Sequence, residues 1–222
     1  DGIVPENNDP SLQRSNSLKR IALSYDESLK VLKDFSDEDL IMLSDNDEIP
    51  NLDSKDFKNN KKDIILFKQL FFYFKFNLLY DKMFWFGTKG CKMKKLKSLS
   101  WLKNIKLKKY PFWRIDTLFS DTKQINLQII QEGGWHFTNL KTPEDLYEKF
   151  INFGHHNEFR LSGLTIEKIR KKIKDKEMFY DHFVDQSSAN KWKSDYKLKK
   201  YDLKLLPKYL SENQSKYKEW FD

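Results

Sequence analysis

Four consecutive apolar residues, Leu40 to Leu43, run into the acidic stretch Ser44-Asp45-Asn46-Asp47-Glu48 and stop at Pro50. A short apolar run bounded by polar and turn-forming residues predicts a strand buried on both faces, of the parallel and central kind. Pro50 has no N–H to give to a sheet interior, so it is expected to close the element. In an open α/β sheet the ligand crevice lies beyond the carboxyl ends of the strands, which is where Asp45, Asn46 and Asp47 fall. Upstream, residues 1–15, with Gly2, Pro5 and Pro10, read as an irregular lead-in. Leu18, Ile21, Ala22, Tyr25, Leu29 and Leu32 then recur at helical spacing and predict a helix from Ser17 to Phe35.

Beyond Pro50 the pattern predicts a short polar helix or turn over Asp53–Asn60 and strands over Asp63–Phe67 and Gln69–Phe76, apolar on both faces. Met93 to Lys109 sets lysines among Leu96, Leu99, Trp101, Leu102, Ile105 and Leu107. That mixture serves equally as the wet face of an amphipathic helix or as a nucleic-acid-binding surface. Ile125–Ile130 predicts a further strand, leading into Glu132-Gly133-Gly134-Trp135-His136, where paired glycines let the backbone approach a ligand and place Trp135 and His136 just past the strand. Thr142 caps a helix with Pro143 at its first position and Gly154 as its stop. The polar cluster His155-His156-Asn157-Glu158 follows, then a basic helix over 165–174 and a last helix opening at Leu205 and ending near Trp220.

Charge changes this picture more than composition does. The first 56 residues carry 14 acidic and 6 basic side chains, a net of −8, and the remainder is +16. An acidic strand end facing a basic remainder suits an anionic ligand bridged by a metal. Two carboxylates one residue apart, Asp45 and Asp47, suit a hard divalent cation with open positions for a phosphate or a plain solvated turn, and Arg20, early on the first helix, suits a phosphate contact or a surface position. Trp85, beside Gly87, offers an indole face to a sugar ring. At 222 residues the chain fits one domain, and 39% hydrophobic with 15% aromatic content excludes a disordered chain. Cys91 is the only cysteine, so no internal disulfide is available. The most apolar stretch, Ile64–Phe86, is interrupted by Lys68, Lys75, Asp81 and Lys82 and is a poor membrane span.

Leu43-Ser44-Asp45-Asn46-Asp47-Glu48-Ile49-Pro50, Phe72-Tyr73-Phe74-Lys75-Phe76-Asn77, Phe86-Gly87-Thr88 and Gly133-Gly134-Trp135-His136-Phe137 occur in that order. With weaker matches at His156-Asn157-Glu158-Phe159 and Leu206-Pro207-Lys208-Tyr209-Leu210, they make the chain, over about residues 16–222, resemble glycosyltransferase family 17. Its best-known members are the β-1,4-mannosyl-glycoprotein 4-β-N-acetylglucosaminyltransferases. The resemblance implies an α/β, GT-A-like fold with a mixed central sheet flanked by helices. Family members carry an earlier segment of acidic and Val/Ile-rich strands that holds much of the nucleotide pocket. Nothing here corresponds to it, which implies a domain lacking its first strands.

The resemblance also implies a metal-dependent, inverting transfer of N-acetylglucosamine from UDP-GlcNAc to a sugar hydroxyl of a glycan. Asp45, Asp47 and His136 are then the expected ligands of Mn²⁺ or Mg²⁺; Arg20, Asp45, Trp135 and His136 the residues toward the UDP-sugar; and Trp85 and Trp135 the stacking rings. Glu48 and Glu158 are the two candidates for the base that accepts the acceptor's proton. The expected partners are the nucleotide-sugar donor and the glycan acceptor. A bacterial protein of this kind would be cytoplasmic or membrane-peripheral, and a eukaryotic one would sit in the secretory lumen. Two other readings fit the residues: a non-catalytic carbohydrate- or nucleic-acid-binding protein, and an inactive truncated transferase.

Overall fold

A computed structural model describes residues 9–152, 156–185 and 188–222. In chain order the described residues form α1 (Pro10–Leu29), β1 (Leu40–Leu43), β2 (Glu48–Pro50), α2 (Lys55–Lys58), β3 (Ile64–Phe67), β4 (Leu70–Tyr73), β5 (Leu78–Leu79) and β6 (Lys89–Lys92). There follow α3 (Leu99–Asn104), β7 (Leu127–Ile130), β8 (Gly134–Thr138), α4 (Pro143–Ile151), α5 (His156–Ser162), α6 (Ile166–Lys174), β9 (Lys199–Lys200) and α7 (Lys208–Glu212). The class is mixed α/β, as expected, but the described residues form two sheets where one central sheet was expected. The chain divides into two compact units, Ile21–Phe71 with Lys82–His136, and Asp1–Arg20 with Phe72–Asp81 and Phe137–Asp222.

The first unit is built on a four-stranded sheet of order β1-β6-β3-β7. β3 is its most buried strand, and it pairs antiparallel with β6 and parallel with β7. Leu66, Ile64 and Leu127 pack with Leu102 and Ile105 of the α3 region on one face. Ile65, Phe67 and Ile130 pack with Phe57 of α2 on the other. Each apolar residue thus withdrawn from water contributes about 1.5–3 kcal/mol. Cys91 of β6 lies in the first of these layers, where burial foremost, with Asp63 adding to it, pushes its thiol up to about 11. The rest of this unit is the antiparallel pair β2 and β8 with the start of β4 next to β8.

Several expectations are corrected here. β1 is not a central parallel strand: it pairs only with β6, antiparallel, at the sheet edge, and only Ile41 is fully buried. Pro50 does close a strand, as expected, but that strand is β2, an edge strand where a missing N–H costs no ladder bond. The lysine-rich segment after Lys92 is α-helical only over α3, after a 3-10 turn at Met93–Lys95, with the Ser98 hydroxyl accepting from the Trp101 N–H at 2.9 Å. β6 was not anticipated: the sequence Lys-Gly-Cys-Lys has no apolar alternation.

Lys89 shows how such a strand is stabilised. Its buried ammonium donates to the Ile105 carbonyl at 2.8 Å and to the Lys103 carbonyl, closing the end of α3 where carbonyls lack helical partners. Burial, with Lys103 adding repulsion, pulls its pKa down from 10.5 to about 8. Between those two values the unfolded chain binds more protons than the folded one, so stability rises with pH. The cost of burying the charge is full below about 8 and is relieved above it. Urea unfolding at a series of alkaline pH values should show wild type gaining on the order of 2 kcal/mol relative to Lys89→Met. Parallel pH profiles would show that Lys89 is not held in this state.

In the second unit the end of β4 pairs with β5 and β5 with β9. β4 stops at Tyr73 rather than continuing to Phe76 because Phe74 takes a left-handed φ of 64°. α4 starts as expected, with the Thr142 hydroxyl accepting from the Asp145 N–H at 3.2 Å and Pro143 at its first position. Phe150, Phe159, Phe179 and Trp192 pack ring against ring beneath α4 and α5. α6 is the predicted basic helix, capped by Thr165. α1 begins at Pro10, not Ser17, with Asp9 accepting from the Ser11 N–H at 2.9 Å, so Pro10 is the first residue of a helix rather than part of an irregular lead-in. The expected last helix is broken into α7 and a 3-10 segment over Gln214–Trp220. Gly2, Pro5, Gly154 and His155 lie outside the described residues. Among the described residues no helix is long and apolar enough to cross a membrane.

Candidate metal centre

The site grows out of the turn between β1 and β2. The Glu48 N–H donates to the Asp45 carbonyl at 3.1 Å, and the Glu48 carboxylate folds back to accept from the Asp45 N–H at 3.0 Å. The turn is therefore closed by backbone and side chain together. Glu48 then opens β2 directly opposite His136 of β8. Residues opposed in an antiparallel pair point to the same face, so the pairing itself carries the carboxylate to the imidazole. Asp47 reaches the same point from the turn, its Oδ2 3.3 Å from His136 Nε2. Asp47, Glu48 and His136 each offer a ligand atom, all within 4.8 Å of one another.

Glu48 and His136 are each only 5% exposed, which for a carboxylate demands donors. The Trp85 indole N–H donates to Glu48 Oε1 at 2.8 Å and the Thr88 hydroxyl to Oε2 at 3.4 Å. Trp85 is itself fixed by paired backbone hydrogen bonds with Gln69, at 2.8 and 2.9 Å. Thr88 is held by Ser44 Oγ at 2.7 Å and by the Gln69 side chain, which also donates to the Trp135 carbonyl at 3.4 Å. His136 stacks on Phe71 (centroids 4.8 Å, 13°) and on Trp85 (4.6 Å, 23°), and those two rings also touch. His136 Nδ1 is buried without a hydrogen-bond partner among the described residues. Ring stacking, rather than a hydrogen bond, sets the plane of the imidazole and turns its Nε2 edge to Asp47.

These residues fit a divalent cation. Two donors at bond lengths of about 2.0–2.2 Å on one ion stand about 3.0–3.5 Å apart, and the Asp47 to His136 separation of 3.3 Å lies in that range. A carboxylate oxygen has two acceptor positions; Glu48 Oε1 spends one on Trp85 and keeps the other. Two carboxylates with an imidazole form a donor set suited to Mn²⁺, Zn²⁺ or a hydrated Mg²⁺.

No family model matches this chain, and no curated protein or solved structure proved similar to it.

The expected site residues are distributed as follows. Asp47 and His136 come together, with Glu48 as the third member where Asp45 was expected. Asp45 instead accepts from Lys103 Nζ at 2.8 Å. Burial alone would lower the Lys103 pKa, but the Asp45 carboxylate outweighs it and the net shift is upward. Trp135 does not share the face of His136: consecutive strand residues alternate, and Trp135 lies opposite Ile49. Trp85 stands at the site, with one ring contact spent on His136 and its N–H on Glu48. Arg20, exposed on α1, and Glu158, on α5, belong to the other unit. There the Tyr180 hydroxyl is pushed up to about 12 by burial and, after it, by the Glu158 charge. Gln69 and Phe71 were not anticipated as parts of the site, and Ser44 was marked only within the Leu43–Pro50 match. Thr88 was marked only as part of the Phe86-Gly87-Thr88 motif, since a threonine in a turn carries no sign of the carboxylate it will meet.

Proposed function

We propose that Asp47, Glu48 and His136 hold a divalent cation, Mn²⁺ or Mg²⁺, in the service of an inverting transfer of N-acetylglucosamine from UDP-GlcNAc to a glycan hydroxyl. The observation that carries the metal is the convergence of three ligand atoms, two of them on buried side chains. The resemblance of the acidic turn and the Gly-Gly-Trp-His segment to glycosyltransferase family 17 supplies the donor and the stereochemistry. When bound, the cation would stabilise the negative charge growing on the departing diphosphate.

Within this reading the chain's own residues divide the work. Asp47 and His136 present their ligand atoms from a turn and a strand, and Phe71 and Trp85 hold the imidazole plane. Glu48, its oxygens already accepting from Asp45, Trp85 and Thr88, serves as ligand and organiser rather than as base. Trp135, on the opposite strand face, is not placed to stack on a sugar held at this cation.

Two measurements separate the parts of the proposal. Mn²⁺ titration followed by calorimetry should show Asp47→Asn and His136→Gln weakening affinity by about 10- to 100-fold; unchanged affinity in both would sink the metal centre. UDP release from UDP-GlcNAc with Mn²⁺ and a panel of glycan acceptors should fall by about 100-fold in Asp47→Asn. Tight Mn²⁺ binding without any UDP release would keep the metal centre and overturn the transferase.

A further inference from the structure

We propose that the segment between α3 and β7 is a docking tip for an anionic bilayer surface. Phe112, Trp113, Ile115, Leu118 and Phe119 are each between 69% and 86% exposed, five large apolar side chains within eight residues. Contiguous apolar surface of this kind on a soluble chain marks an interaction site. The segment is not loose. Its base is pinned by the Lys106 N–H to the Thr122 carbonyl at 2.9 Å and by the Trp101 indole to the Asp121 carbonyl at 2.8 Å, with Tyr110 buried between. Its tip is braced by Arg114, which grips both Asp116 oxygens at 2.7 Å, and by the Thr117 hydroxyl on the Arg114 carbonyl at 2.6 Å. The apolar side chains are therefore held outward by a defined turn.

Charge selects the occupant. Residues 105–126 carry five basic and two acidic side chains. Both acidic ones are already engaged, Asp116 by Arg114 and Lys123, and Asp121 by Lys97. The excess is carried by Lys106, Lys108 and Lys109, all exposed beside the apolar tip. A tryptophan, two phenylalanines and branched aliphatics ringed by lysines match the boundary of an anionic bilayer, where rings enter at headgroup depth and lysines meet lipid phosphates and carboxylates. The tip contains no strand, so a partner chain has no edge there to extend.

The test is co-sedimentation of the full chain with vesicles of phosphatidylcholine alone and of phosphatidylcholine mixed with phosphatidylserine. Wild type should partition onto the mixed vesicles and be released by added salt. Trp113→Ser with Phe119→Ser should lower partitioning by about tenfold or more per ring, and Lys106, Lys108 and Lys109 changed to Gln by about fivefold per lysine. All five positions are exposed, so thermal unfolding should be unchanged, which keeps a binding loss interpretable. Wild type left in the supernatant, or variants that bind as wild type does, would overturn the proposal. So would wild type eluting as a dimer that the double serine variant converts to monomer, because the tip would then be covered by a second copy of the chain.

Discussion

Alanine at Gly87 should cost about 3 kcal/mol or more of folding stability in the native chain, and only a fraction of that once Glu48 has been removed. A Cβ on Gly87 would stand 1.7 Å from Glu48 Oε1 and 2.0 Å from its Cδ, and the three nearest atoms all belong to that carboxylate. The carboxylate has no easy retreat. Asp45, Trp85 and Thr88 hold it from three sides, and it is buried. Glu48→Ala is itself destabilising, since it leaves those donors without their acceptor, at about 1–3 kcal/mol for each that stays buried. It also removes the three atoms nearest to the added methyl group. The double-mutant cycle, measured by urea unfolding, should therefore show a coupling of about 2 kcal/mol or more in the favourable direction. Additive costs would mean that Gly87 is needed for its backbone and not for the space it leaves to Glu48.

That pair also shows where reading the chain stops. β3, β7, α4 and α6 were legible because their signals are local: an apolar run, a Thr-x-x-Asp cap, a Pro at the first helical position. β1 looked central because its four residues are apolar, but burial depends on what lies on either side, and only β6 does. β6 itself was illegible. Its lysine at position 89 is neutralised as a sequence signal only by the end of α3, fourteen residues further on. The candidate site divides in the same way. That an acidic turn and a Gly-Gly-Trp-His segment belong together was implied only by the family resemblance; the structure brings Asp47 to 3.3 Å from His136. Which acid turns inward was not readable. Asp45 and Glu48 flank the same turn, and the choice falls to Lys103 outside and to Trp85 and Thr88 inside. Trp135 was grouped with His136 because they are adjacent, whereas a strand separates adjacent residues to opposite faces.

Gly134→Ala should dismantle the same centre from the opposite strand. Gly134 has a φ of +114°, which an alanine adopts only under strain. Its Cβ would lie 2.1 Å from the Ile49 carbonyl oxygen and 2.7 Å from the Asn51 nitrogen, both backbone atoms with nowhere to turn. β8 must then withdraw from β2, and the register that sets His136 opposite Glu48 goes with it. The expected cost is about 3 kcal/mol or more of stability, with loss of the Mn²⁺-induced rise in melting temperature that the proposed metal centre predicts for wild type, even where the variant is still folded. The near-ultraviolet dichroism of the Phe71, Trp85 and His136 stack should weaken in parallel, a readout that needs no metal. Ile49→Ser is the control: it lies on the other face of β2, partly exposed, and should lose stability while keeping both the stack and the metal response. If Gly134→Ala bound Mn²⁺ as wild type does, the pairing of β2 with β8 would have no part in building the centre.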